Sequence, residues 1–180
     1  MASKTVTLHD KTFGIYIAET EILAEIDRVA AQLNADYAGK NPLFVAILNG
    51  SFMFAADLLK ALTIPCEISF VKVASYENTS STGNVKELLG LKEDIGGRHV
   101  VILEDIVDTG NTIVALLATL QARQPASVEV ATLLQKPDCL EHEVDVKYKG
   151  REIPNDFVVG YGLDYNGAGR NLRDIYKVIG

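Results

Sequence analysis

With 180 residues, 48% of them apolar, the chain is sized for one domain with its own core. Its net charge of −7 argues against non-specific nucleic-acid binding and against attachment to an acidic membrane surface. The longest apolar runs, such as Leu43 to Leu48, are too short to span a bilayer, and Met1 to Thr5 lacks an apolar signal core, so a cytoplasmic protein is expected.

Ile22, Leu23, Ile26, Val29, Ala30 and Leu33 recur at helical spacing, which predicts an amphipathic helix from Glu19 to about Ala35. Leu43 to Leu48 reads as a buried strand, broken at Asn49-Gly50-Ser51 and followed by a helix from Phe52 to Leu62. Cys66 and Cys139 are too few for a disulfide framework and read as small hydrophobes. Glu67 to Val73 is a second strand. Ser75 to Asn84 is polar, with Thr79-Ser80-Ser81-Thr82 in a row, and reads as a long mobile loop of the kind that often closes over a site. Leu88 to Leu91 returns as a short strand. Val100 to Leu103 is a third buried strand that ends in the acids Glu104 and Asp105. A helix from about Gly110 to Arg123 follows, with Ile113, Leu116, Leu117 and Leu120 on its apolar face and Pro125 beyond it. Val128 to Leu134 and Phe157 to Tyr161 are two further strands. Apolar strands alternating with helices predict a parallel sheet covered on both faces. Ligands then sit beyond the carboxyl ends of the strands, where Asn49-Gly50, Glu104 to Thr112, Lys136 and Asp164 fall.

Asp108-Thr109-Gly110-Asn111-Thr112 is the densest chemistry in the chain. Glycine permits a tight turn, successive N–H groups can converge on an anion, and the helix that follows opens with unpaired donors. An ordinary helix N-cap, with Asp108 or Thr109 as the cap, is the bland alternative. The preceding Glu104-Asp105 favours the ligand. Two adjacent carboxylates at the end of an apolar strand are costly unless they bind something, and ribose hydroxyls or Mg²⁺ would suit them. Phosphate donors beside ribose-binding acids suggest a ribose 5-phosphate site. His9, His99 and His142 lack metal-ligand spacing and read as structural or surface residues. Gly160 to Gly169 lacks the glycine order of a dinucleotide fingerprint.

The run Glu104-Asp105-Ile106-Val107-Asp108-Thr109-Gly110-Asn111-Thr112 resembles the phosphoribosyl-pyrophosphate (PRPP) signature of type I phosphoribosyltransferases. Its form is similar to that of the hypoxanthine-guanine phosphoribosyltransferases in particular. The resemblance covers nearly the whole chain. It implies an α/β fold, a mostly parallel twisted sheet flanked by helices, with a core of about 38–150 and a small hood built from 1–37 and 151–180.

Roles follow from the resemblance. Glu104 and Asp105 would hold the ribose hydroxyls, directly or through Mg²⁺. Asp108, Thr109, Gly110, Asn111 and Thr112 would cradle the 5-phosphate, and Asp108 would be the general base near N7 of the purine. Leu48-Asn49-Gly50-Ser51 resembles the pyrophosphate loop, where a non-proline cis peptide is implied; Asn49 stands where many members carry Lys. Arg170 would reach pyrophosphate, and Asp164, in the purine-binding segment, would bind a second Mg²⁺. Lys136 would contact the exocyclic oxygen of a 6-oxopurine, Phe157 would stack on the base, and the Val158 backbone would read its edge. Ser75 and Tyr76 would belong to the mobile loop. The expected reaction is purine salvage, joining PRPP to hypoxanthine, and to guanine as well, in a homodimer or homotetramer. A PRPP sensor on the same fold, and a phosphoribosyltransferase for xanthine, orotate or adenine, are the competing readings. The presence of Asp108, Lys136 and Arg170 favours an enzyme, and Lys136 with Phe157-Val158 favours a 6-oxopurine; xanthine stays open.

Overall fold

A computed structural model describes residues 5–73 and 88–179. The described residues form two sheets. The larger takes strands β3 (Leu43–Ile47), β4 (Glu67–Val73), β5 (Leu88–Leu89), β6 (His99–Val107), β7 (Ser127–Gln135) and β8 (Tyr148–Glu152), in the order β5-β4-β3-β6-β7-β8. From β4 to β8 all neighbours are parallel; β5 joins the β4 edge antiparallel. The smaller sheet is antiparallel, in the order β1-β2-β10-β9, from β1 (Thr5–Leu8), β2 (Lys11–Ile17), β9 (Val158–Val159) and β10 (Ile175–Val178). It is the hood expected from the chain ends.

Burial on both faces explains the apolar central strands. Alternate residues Phe44, Ala46, Val101 and Leu103 pack with helices α1 (Glu19–Asp36) and α2 (Phe52–Ala61). The intervening Leu43, Val45, Val100 and Ile102 pack with helix α3 (Asn111–Gln121) on the other face. The first cluster also takes in Ile17, Val158, Tyr161 and Ile175, so hood and core share one apolar interior.

Several expectations shift. Helix α1 packs on α2 and β8, so the described antiparallel sheet takes only 5–17 from the N-terminal end. Strand β6 does not stop at Leu103. Its ladder with β7 carries on through Glu104↔Thr132, Ile106↔Leu134 and Val107↔Gln135, so the acids lie inside the strand. The strand expected over Phe157 to Tyr161 shrinks to Val158–Val159 and belongs to the hood, paired antiparallel with β10. Asp164 therefore follows a hood strand and not the carboxyl end of a parallel one.

Candidate active site

Three central strands, β3, β6 and β7, lie side by side, and their carboxyl ends deliver three loops to one place. Strand β3 leads into Asn49-Gly50-Ser51, β6 into Asp108-Thr109-Gly110, and β7 into Lys136. The Leu48-Asn49 peptide is cis. Ser51 is fully buried and its hydroxyl donates to Ile47 O at 2.6 Å, closing the first loop onto its own strand.

Glu104 and Asp105 are both buried. One Glu104 carboxylate oxygen accepts from the Asp105 N–H at 3.3 Å, and Asp105 Oδ1 accepts from the Ile106 N–H at 3.0 Å. Burial, and then the adjacent Asp105 carboxylate, push Glu104 well above the usual carboxylate range. Burial also pushes Asp105 up, against opposing hydrogen bonds and the Arg170 charge. The pair thus stores unfavourable charge that a cation or sugar hydroxyls would relieve. Gly50 closes over it: a methyl group there would overlap the Asp105 carboxylate.

Glu104, Asp108, Thr109, Gly110 and Thr112 line a hollow of about 80 Å³ at the end of β6. Gly110 caps α3 at φ 85°, a backbone conformation that glycine adopts without strain. The cap position is Gly110, which has no side chain, and the N-cap alternative rests on one long bond, from the Asn111 N–H to Thr109 Oγ1 at 3.4 Å. Asn111 does not line the hollow. Its side chain bonds instead to Thr109, Glu141 and His142.

Lys136 is buried, and its Nζ donates to Asp108 Oδ2 at 2.9 Å and, at 3.5 Å, to Asn155 Oδ1. Two residues beyond Asn155, the Phe157 ring is 42% exposed. Phe13 and Tyr165 flank it, with ring centroids at 5.9 and 5.5 Å. Its half-exposed aromatic surface is available to a planar ligand. The Val158 backbone pairs with β10. Farther along, Asp164 Oδ1 holds Arg170 Nη2 at 2.7 Å, and Asp164 Oδ2 accepts the Gly167 N–H at 2.7 Å. Arg170 Nη1 donates to Gly162 O at 2.8 Å. The hood meets the first loop here, because a methyl group on Gly162 would overlap the Gly50 carbonyl.

Glu104 and Asp105 make one candidate cation site and Asp164 a separate one. Among the described residues no group of three or more His, Cys, Asp or Glu side chains forms. Mg²⁺ commonly takes only one or two carboxylates and completes its shell with water and phosphate oxygens, so the donor set fits it. Ser75 and Tyr76 lie outside the described residues. Sequence reasoning passed over Asn155 and Glu141, read His142 as a structural or surface residue, and took Gly162 only as part of the purine-binding segment. Asn155 reaches Lys136 only through the fold, and no local motif marks it.

Residues 16–166 match the phosphoribosyl transferase domain family. The chain is 44% identical over 159 residues to the hypoxanthine-guanine phosphoribosyltransferase of Streptococcus pneumoniae, covering 88% of each. It is 43% identical over 169 residues to the hypoxanthine phosphoribosyltransferase of Haemophilus influenzae, covering 92% of this chain and 94% of that one. The hypoxanthine phosphoribosyltransferase of Trypanosoma cruzi, solved in complex with its product IMP, superposes with a TM-score of 0.84 at 36% identity, over 97% of this chain and 98% of that one. With the phosphate turn and the buried acids inside the matched span, the chain belongs to the phosphoribosyltransferase family, on its hypoxanthine-guanine branch.

Proposed function

We infer that the chain is a purine-salvage enzyme. It transfers the 5-phosphoribosyl group from PRPP to hypoxanthine, and to guanine as well, giving IMP or GMP and pyrophosphate. One observation carries the choice of base. Lys136 and Asp108 stand as donor and acceptor 2.9 Å apart. A 6-oxopurine protonated at N7 presents O6 as acceptor and N7–H as donor on a single edge, and so complements that pair. Adenine would set an amino donor against the Lys136 ammonium.

In this reading the hollow after β6 receives the 5-phosphate, and the Glu104–Asp105 pair faces the ribose hydroxyls. Asp108 takes the N7 proton, which makes the attacking ring nitrogen more nucleophilic. That nitrogen bonds to C1 of the ribose. The C1–O bond breaks, and its electrons leave with pyrophosphate. Arg170, with the N–H groups of the Asn49-Gly50 loop, steadies the leaving charge. Lys136 holds O6, Phe157 covers the ring, and the Val158 backbone reads its edge. Glu104, Asp105 and Asp164 would hold Mg²⁺, which supplies charge neutralisation for PRPP and its leaving group.

The test is product formation from PRPP with hypoxanthine, guanine, xanthine and adenine side by side. Turnover of hypoxanthine, with adenine inert, is expected. Preferred use of adenine, or none of the four, would overturn the reading.

A further inference from the structure

We propose that Glu141 and His142 are positioning residues for the phosphate turn, acting on it through the Asn111 side chain. The inference rests on the phosphoribosyl-transfer reading, because it takes 108–112 as the seat of the 5-phosphate.

An asparagine amide has two N–H donors and one carbonyl acceptor. Asn111 commits all of them within the protein. Its Nδ2 donates to Glu141 Oε2 at 2.9 Å and to Thr109 Oγ1 at 3.1 Å, while its Oδ1 accepts from His142 Nε2 at 2.8 Å. An ionised Glu141 can only accept, which fixes the end of the amide that faces it. The carbonyl then faces His142, so Nε2 of that ring carries the proton. A third bond ties the same segment to the turn: the Glu141 N–H donates to Thr109 O at 3.0 Å. Below it, Val144 Cγ2 stands 2.8 Å from where a side chain on Gly110 would begin. Residues 141–144 thus strap the turn from the side away from the hollow.

The strap has a job. N–H groups that must converge on an anion gain affinity when they are held in place beforehand. The turn carries a glycine at φ 85°, and the cap that its own residues supply to the helix backbone is the long 3.4 Å bond from the Asn111 N–H to Thr109 Oγ1, so they fix it only weakly. The strap also begins at the purine side. Lys136 opens the short 3₁₀ turn Pro137–Cys139, which Cys139 N–H closes onto Lys136 O at 3.1 Å, and Leu140 alone separates that turn from Glu141. One piece of chain therefore sets both Lys136 and the phosphate turn.

The experiment combines calorimetric titration with ribose 5-phosphate and steady-state kinetics on the full chain. Asn111→Ala, Glu141→Ala and His142→Ala should each weaken ribose 5-phosphate and raise KM for PRPP about three- to tenfold, with kcat held within about twofold. Glu141→Gln keeps an acceptor and His142→Gln keeps a donor, so both should restore affinity. Adding Glu141→Ala to Asn111→Ala should cost no more than Asn111→Ala alone. Wild-type affinity in Glu141→Ala and His142→Ala, additive losses in the double variant, or a parallel fall in kcat would each overturn the proposal. Wild-type turnover tests the transferase reading by itself. The ribose 5-phosphate titration reads the strap whether or not turnover is seen.

Discussion

Asp108 and Lys136 form one ion pair on two neighbouring loops, and each sets the behaviour of the other. Asp108→Asn keeps an acceptor for Lys136 and removes the base. It should lower kcat by about 100-fold or more, while PRPP affinity should change little, because in the proposed reading the turn holds phosphate mainly through backbone N–H groups. Calorimetry with PRPP beside initial rates separates the two, and an equal loss of binding would sink the general-base role. Lys136→Ala removes the donor that this reading places at O6 and should shrink the preference for hypoxanthine over adenine by about tenfold or more. Unchanged discrimination in competition assays would exclude it. Both residues were legible in the chain, Asp108 from its turn and Lys136 from its likeness to the family. Their contact was not, since it depends on β6 and β7 being neighbours and on how far each strand runs. Asn111 shows the reverse: its place in the motif pointed to phosphate, and only the fold revealed that its side chain is occupied elsewhere.

Elements built from unbroken apolar runs were legible because burial on both faces leaves little choice of residue. β3, β4 and β7 appear within a residue or so of expectation. The strands that escaped are half-exposed or mixed. β1 alternates exposed and half-buried residues, and β8 reads Tyr-Lys-Gly-Arg-Glu, a sequence that looks like a loop until β7 lies beside it. Extension of β6 through Glu104 and Asp105 was hidden for another reason, since acids are disfavoured in strands and only the β7 ladder holds them there. The hood segment is held where Gly162 meets Gly50. Gly162→Ala should therefore cost about 2 kcal/mol or more, from strain at φ 100° and from the displaced carbonyl. Urea denaturation measures it; a midpoint equal to wild type would mean the hood docks otherwise.

Across the whole molecule the site works against stability. Glu104 has its pKa raised above the ordinary value of 4.5, so the folded state holds its proton more tightly than the unfolded one. Its stabilising contribution is complete below that value and is lost as pH rises through the folded pKa. Glu67 acts in the opposite sense: Arg98, then Asn41, hold it low, and its contribution disappears as pH falls. Glu104→Gln should raise the melting temperature of the ligand-free protein at about pH 7 to 8 and flatten its decline with pH. Adding Mg²⁺ should stabilise wild type more than the variant. A variant that melts at or below wild type throughout would show that the buried charge is already neutralised by other means. Gly50 and Gly162 meet without side chains between them. Main chain against main chain sets the spacing between the loop after β3 and the segment that carries Phe157 and Val158. In the proposed reading, substitution of the Phe157 side chain would then alter the surface that covers the base while this main-chain spacing keeps the two loops in register.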